Sequence, residues 1–517
     1  MMPLLQKSKT AARDWLQGID TALLRTVAAA AALCMLLAHG FAFTNLFPNH
    51  DSTVLVFDAQ WTMYVLGRWA QNLYFPLVRG KIAAPWLIGA FSIVYLALTS
   101  YCITSLLHLK KWSAALLTGL LGTCASVTAQ LATYTYETDA YLLAMLLACA
   151  AVWCTERLPR RWGYLGAAVC LCGCLALYQS YIQFAVGLYL LLLQRALQGA
   201  EWRHWLRQGV CALAALALGT ALYLVSLKVS LAVTGYRLAD TGNGLTQLLR
   251  LGPAAVLAGI PATYGNFFKT LFGYSGWNDR GMRAATALLF VLTAAGLALR
   301  LRGRGGRMAA QVLWAVALLP LGLNVSHLLA SGNVYILMQH ALFLVYLVPM
   351  LLFDGAALTP VDWKVGGVLV KLLCGFLILR NILCANGAYV YTKLVYDNTA
   401  RQMTQIMADV GKLDGYEPGI TPVAFVGSFT DSQLAYHDPA FSRYEEGDLH
   451  QVNSAVTYDG TIKWWFQHAM GSNAAVIADS GTLIALGETP AVQAMPLYPA
   501  NGYCAMVDGT AVIKLSD

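Results

Sequence analysis

Apolar stretches of about 20 residues, the length of α-helix that crosses a hydrocarbon core, recur along this chain from residue 26 to residue 388. We read about eleven spans, near 26–44, 84–107, 113–131, 139–155, 162–177, 182–195, 208–232, 284–299, 309–325, 334–353 and 366–388. Of the 517 residues, 58% are hydrophobic and 12% charged, with a mean hydropathy of +0.57. That is about half the charged share of a soluble domain, so lipid has to serve as solvent for much of the surface. The expected fold class is mainly α, a polytopic membrane protein.

Loop charge orients the spans. Lys7, Lys9, Arg13 and Arg25 precede the first, Lys110 and Lys111 follow the second, and "ERLPRRW", "QRALQGAEWRHWLRQ" and "RLRGRGGR" follow the fourth, sixth and eighth. Basic alternate connections predict a cytoplasmic N-terminus, with residues 1–25 as a cytoplasmic segment too weakly organised for a cleaved signal peptide. The net charge of +8 therefore reports orientation and calls for no nucleic-acid partner. The tenth connection, "FDGAALTPVDWK", departs from the pattern with two acids and one lysine. The twelve cysteines lie mostly within spans and read as small packing residues, neither a disulfide framework nor a metal site.

The other connections face outward, including 45–83, "ATYTYETD", "YQSY", the long 233–283 segment and everything after about 389. From 389 to 517 the chain is more charged, with short β-like runs such as "PVAFVG" and "AAVIA" between turn signals, which predicts a small extracytoplasmic α/β domain. Residues 26–388 form the transmembrane domain in this reading.

The first outward connection carries the most chemistry. If 51–73 is helical, Asp51 and Asp58 are two turns apart and share a face with Thr62, with Arg68 and Asn72 toward its edge. Asp51 after "FPNH" also suits a plain helix N-cap, and a catalytic carboxylate beside the membrane is the alternative. Glu137 and Asp139 in "TYETDAY" begin a span, where carboxylates complement the helix dipole or line a site. Tyr178 and Gln179 in "YQSYIQ" form a polar-aromatic patch, which an aromatic belt or a sugar site explains. Arg380 interrupts the last span, where an outer-leaflet phosphate or snorkelling to headgroups would satisfy it. "NFFKTLFGYSGWNDRGMR" adds Lys269, Asp279 and Arg280 among aromatics.

The order of "NHDS", a helix ending in "GRW", "APWLIGAFSIVYLALT", "TYETDAYLLAMLLA" and "ALYQSYIQFAVGLYLLL" resembles the bacterial and phage glucosyl transferase II family over roughly residues 20 to 400. Members often carry a paired acid where this chain has His50-Asp51. The resemblance implies a GT-C type glycosyltransferase, taking a hexose, glucose above all, from a polyprenyl-phosphate carrier to a cell-envelope glycan or glycolipid at the outer face. It implies no cofactor, and no metal site is evident in the sequence. Asp51 would be the general base and Asp58 a helper. Arg68 or Arg380 would meet the phosphate, and Glu137, Asp139, Tyr178 and Gln179 would contribute to substrate binding.

Direct attack inverts the anomeric centre; Asp51 and Asp58, about 10.5 Å apart along a helix, do not suit double displacement, which leaves Asp139 as the carboxylate that could approach for it. A lipid-linked sugar flippase would place ionisable groups near mid-bilayer and show paired repeats, which the sequence lacks. A glycan polymerase or ligase differs only in donor size. Orientation is checked by alkaline phosphatase, which folds only outside the cytoplasm. It is expected to be active when fused after Thr135 and inactive when fused after Lys111; the reverse pair of results would sink the assignment.

Overall fold

The computed structural model describes residues 19–46, 60–196, 202–240, 250–275, 277–303, 306–354, 363–428, 438–445 and 459–516. Asp51 and Asp58 lie outside them. The chain is mostly helical. In order run α1 (Thr21–Thr44), α2 (Gln60–Val65), α3 (Gln71–Tyr74, continuing as a π turn Phe75–Arg79), α4 (Pro85–Leu107), α5 (Lys111–Thr123) and α6 (Ala125–Thr133). Next come α7 (Thr138–Arg157), α8 (Arg160–Leu177), α9 (Ile182–Ala196), α10 (Trp202–Thr234), α11 (Pro253–Phe272) and α12 (Arg280–Leu301). They are followed by α13 (Gly306–Leu323), α14 (Val325–Leu329), a 3₁₀ helix (Ile336–Tyr346), α15 (Leu347–Asp354) and α16 (Lys364–Val410).

Eight helical segments among the described residues are long and apolar enough to cross a membrane: Thr21–Thr44, Pro85–Leu107, Lys111–Thr133, Thr135–Arg157, Arg203–Thr234, Arg280–Leu301, Ile336–Asp354 and Lys364–Val410. These are the marks of a membrane protein. The expected segments 162–177, 182–195 and 309–325 are helical but not among the eight. The 233–283 stretch, expected as a connection, holds the 20-residue helix α11 despite Pro261 in its interior. Packing against α12, α13 and α14 holds it, which local propensity does not report.

Helices approach closely where small residues permit. A Cβ built on Gly219 of α10 would lie 2.4 Å from Leu171 Cβ of α8, and one on Gly89 of α4 would meet the Phe43 ring of α1 at 2.5 Å. His39, fully buried on α1, joins Tyr389 OH on α16 at 2.7 Å and the Gly122 carbonyl on α5 at 2.8 Å. At the other end of α5, Asp354 accepts from Ser113 at 2.7 Å and pairs with Lys110 at 3.2 Å. Of the two acids that break the basic pattern of the tenth connection, Asp354 is thus neutralised locally, and Asp362 lies outside the described residues.

Helix α16, 47 residues and so about 70 Å long, runs past residue 388 into a separate core. There Met403, Ile406 and Val410 pack on one face of a sheet formed by β1 (Pro422–Val426), β2 (Ala475–Val476), β3 (Cys504–Val507) and β4 (Thr510–Lys514). The strand order is β2-β1-β4-β3, with β1 parallel to β2 and β4, and β3 antiparallel to β4. Both faces are covered: Val423 and Phe425 meet α16, while Ala424 and Val426 meet Leu483 of α17 (Ser480–Gly487) and Val492. That explains why "VAFV" is apolar throughout, without alternation. Gly219→Val is expected to destabilise the α8–α10 contact by about 1–3 kcal/mol, read as a lowered Tm in detergent; an unchanged Tm would mean the contact is not tight.

Candidate active site

The chain between α1 and α4 is not one helix. After α2 it turns at Leu66-Gly67, where Gly67 has φ +75°, a value glycine adopts without strain. The carbonyls released by this break are taken by side chains: Gln179 Nε2 donates to Leu66 O at 2.9 Å, and Tyr223 OH donates to Gly67 O at 3.0 Å. Gln179 Nε2 also donates to Tyr223 OH at 3.1 Å. The helix expected over 51–73 therefore does not extend through its described part. Three side-chain bonds from α10 and the α8–α9 turn hold the break open, which a periodicity argument cannot anticipate.

Beyond the turn, two buried ion pairs fasten the segment to the start of α7. Arg68 Nη1 meets Glu137 Oε2 at 2.8 Å and Tyr141 OH at 3.1 Å. Gln71 Nε2 donates to the same Glu137 oxygen at 2.8 Å and to Leu177 O at 2.9 Å. One turn further, Arg79 Nε lies 2.8 Å from Asp139 Oδ2, which also accepts from Tyr74 OH at 2.9 Å. Arg79 donates as well to Tyr136 O and to Ile82 O. Both partners of the Arg79–Asp139 pair are almost fully buried, while the Arg68 side chain keeps 18% of its exposure. Asp139 Oδ1 is shielded from water and has no hydrogen-bond partner among the described residues.

An aromatic wall completes the cluster. The Arg68 guanidinium stands 4.9 Å from the Tyr178 ring centroid, and Tyr178 stacks on Tyr141 at 4.1 Å. Tyr181 follows edge-on, and His340 beyond it accepts or donates with Tyr181 OH at 3.0 Å. Behind this wall the 3₁₀ helix is held by its first three carbonyls. Ser126 donates to Ile336 O at 2.7 Å, Gln130 to Leu337 O at 3.2 Å and Gln183 to Met338 O at 2.5 Å. The 3₁₀ run is 11 residues long, unusual for its kind, and Gln339 within it departs from helical dihedrals (φ −101°, ψ 20°).

Five sequence-singled residues, Arg68, Glu137, Asp139, Tyr178 and Gln179, are thus brought together. Arg380 is not among them; it pairs with Asp279, the N-cap of α12. Burial favours the neutral form of Asp279, but the Arg380 hydrogen bond and the Met282 amide outweigh it and hold the carboxyl below its ordinary range. Sequence reasoning missed Gln71, Tyr74, Arg79 and Tyr141. For Arg79 a signal existed: the two acids of one segment expected to face outward, Glu137 and Asp139, face two bases of another, Arg68 and Arg79. Among the described residues no group of three His, Cys, Asp or Glu side chains is arranged to hold a metal.

The clustered residues fall within a stretch, residues 40–353, that matches the sequence model of glucosyl transferase GtrII. The chain belongs to the glucosyl transferase GtrII family. Membership sets its activity class as a glycosyltransferase acting between a sugar donor and a glycan acceptor. No curated protein matches the chain. In this GtrII protein, Asp139→Asn leaves the buried Arg79 without its counter-charge and is expected to lower stability by about 3–5 kcal/mol. Glu137→Gln is expected to lower it less, because Arg68 retains some water. Thermal unfolding in detergent measures both, and a larger loss for Glu137→Gln would reverse the ranking.

Proposed function

We propose that this GtrII protein is a GT-C type enzyme that moves a hexose, glucose in the first instance, from a polyprenyl-phosphate carrier to a cell-envelope glycan on the outer face of the cytoplasmic membrane. The observation that carries the reading is the fastening of residues 60–84. The segment directly following Asp51 and Asp58 is locked by two arginine–carboxylate pairs to the helix that starts with Glu137 and Asp139. A loop bearing a catalytic carboxylate needs such a fixed base, because a misplacement of about 1 Å is enough to cost a hundredfold in rate.

In this reading Asp51 is the general base. The acceptor hydroxyl oxygen attacks C1 of the sugar as Asp51 takes its proton. The bond from C1 to the phosphate oxygen breaks, and the carrier phosphate leaves with the electron pair. Asp58 positions the acceptor or the base. Glu137 and Asp139 act through Arg68 and Arg79 as positioning residues, while Tyr178 and Gln179 form the wall against which a sugar ring rests. Asp139 is enclosed by Arg79 and Tyr74, which leaves it unsuited to serve as a covalent nucleophile and supports single displacement with inversion. No cofactor is required.

The chain is read as multi-pass, with residues 1–25 in the cytoplasm, 26–388 as the transmembrane transferase with 45–83 as its catalytic outer loop, and 389–517 outside. Vesicles containing the protein, a radiolabelled polyprenyl-phosphate glucose and a panel of membrane glycans test the proposal. Asp51→Asn is expected to reduce transfer about 10²–10⁴-fold while donor binding persists. Undiminished transfer would return Asp51 to a helix cap. Label crossing the bilayer with no glycan product would replace the transferase by a flippase.

A further inference from the structure

Arg380 has company. A groove of about 870 Å³ is lined by Arg280 and Arg283 of α12, Arg380 of α16 and Arg443 of the short Pro439–Glu445 turn, with Tyr274 and Phe376. Among the described residues Asp279 is the one carboxylate in that lining, and Arg380 neutralises it. Four guanidinium groups thus line one groove.

Two of these arginines stand where local physics argues against them. Arg280 and Arg283 occupy the first turn of α12, whose exposed N–H groups and dipole present positive charge. Cations there oppose the dipole, and such local conflicts concentrate where function demands them. The Arg283 guanidinium lies 5.5 Å from the Tyr274 ring, and its Nε is shielded without a hydrogen-bond partner among the described residues. Arg443 contacts the Tyr444 ring at 5.2 Å and Cys384 Sγ at 3.1 Å, so it is brought in by packing of the turn on α16.

The surroundings are apolar. Phe376, one turn before Arg380, is exposed, as are Leu372, Leu379 and Leu383 on α16 and Leu288 and Val291 on α12. A ligand fitting both features has several anionic oxygens at one end and a hydrocarbon chain at the other. Guanidinium forks match phosphate oxygens bidentately, and more than one fork on one anion favours a phosphate over a single carboxylate.

We propose that this groove seats the phosphate of a lipid-borne phosphate ester, with the arginines on the headgroup and the exposed faces of α12 and α16 along the chain. Arg380 and Arg443 lie beyond residue 353, where the family match ends, so half of the cationic lining belongs to the C-terminal part of this protein. The identification of that lipid as the carrier of the sugar rests on the transferase reading; the site itself does not.

The full-length protein in detergent is titrated with farnesyl phosphate, farnesol, inorganic phosphate and short-chain phosphatidylglycerol. Farnesyl phosphate is expected to bind at least about tenfold more tightly than farnesol or inorganic phosphate, since either lacks one half of the recognition. Arg280→Gln and Arg283→Gln, neither of which breaks an ion pair among the described residues, are each expected to weaken it about tenfold with an unchanged ligand-free Tm. Equal affinity for farnesol, or no loss in either variant, overturns the site. Displacement by phosphatidylglycerol at equal affinity supports a lipid-phosphate site and removes the carrier as its particular occupant. Repeating the titration beside the glucose-transfer assay separates the two ideas. Equal binding of farnesyl phosphate and farnesol by the unmutated protein while Asp51-dependent transfer continues removes the groove alone, and phosphate-dependent binding with no transfer removes the transferase alone.

Discussion

Away from water, in lipid or inside packed protein, a backbone amide or carbonyl has to find its partner within the chain, and much of this protein follows from that constraint. Where the chain is regular helix the requirement is met internally. Where it is irregular, polar side chains take over one by one. Gln179 and Tyr223 meet the carbonyls of Leu66 and Gly67, Gln71 meets Leu177, and Ser126, Gln130 and Gln183 meet the first turn of the 3₁₀ helix. Each donor comes from another element, so each irregular stretch is tied to the helices around it. The breaks are therefore rigid places, suited to carrying a site.

Charge obeys a related rule. Buried ions are tolerated when paired and hydrogen-bonded, and breaking such a pair is more damaging than never having formed it. Arg68 with Glu137, Arg79 with Asp139, and Lys110 with Asp354 each join segments distant in sequence. The first two pairs tie residues 60–84 to α7, and the sharing of Glu137 Oε2 by Arg68 and Gln71 fixes the chain just after the Gly67 turn. The Arg380–Asp279 pair differs in kind: it is partly exposed and stands beside three further arginines.

Much of this was legible from residue types. The apolar runs announced the helices, and the charges of the outward connections pointed to Arg68, Glu137, Asp139, Tyr178 and Gln179, which meet in space. Other features were not legible. The 233–283 stretch reads as a connection, and tertiary packing holds a helix there through Pro261. The 51–73 periodicity gave no hint of a break at Gly67, because the break is held by Tyr223, more than 150 residues away. Arg79 sat unremarked in "PLVRG" until its partner was found on α7.

The sequence by itself determined that this protein has helices suited to lipid and which faces and loops carry its charge, because hydrophobicity and helical period are properties of neighbouring residues. It also carried the family. Only the tertiary structure decided which acid meets which base, which side chains hold the 3₁₀ helix, and that four arginines from three separate elements share one groove. Those outcomes depend on pairings across tens to hundreds of residues, where desolvation lets a charge or a free carbonyl persist only beside a partner that local sequence does not name.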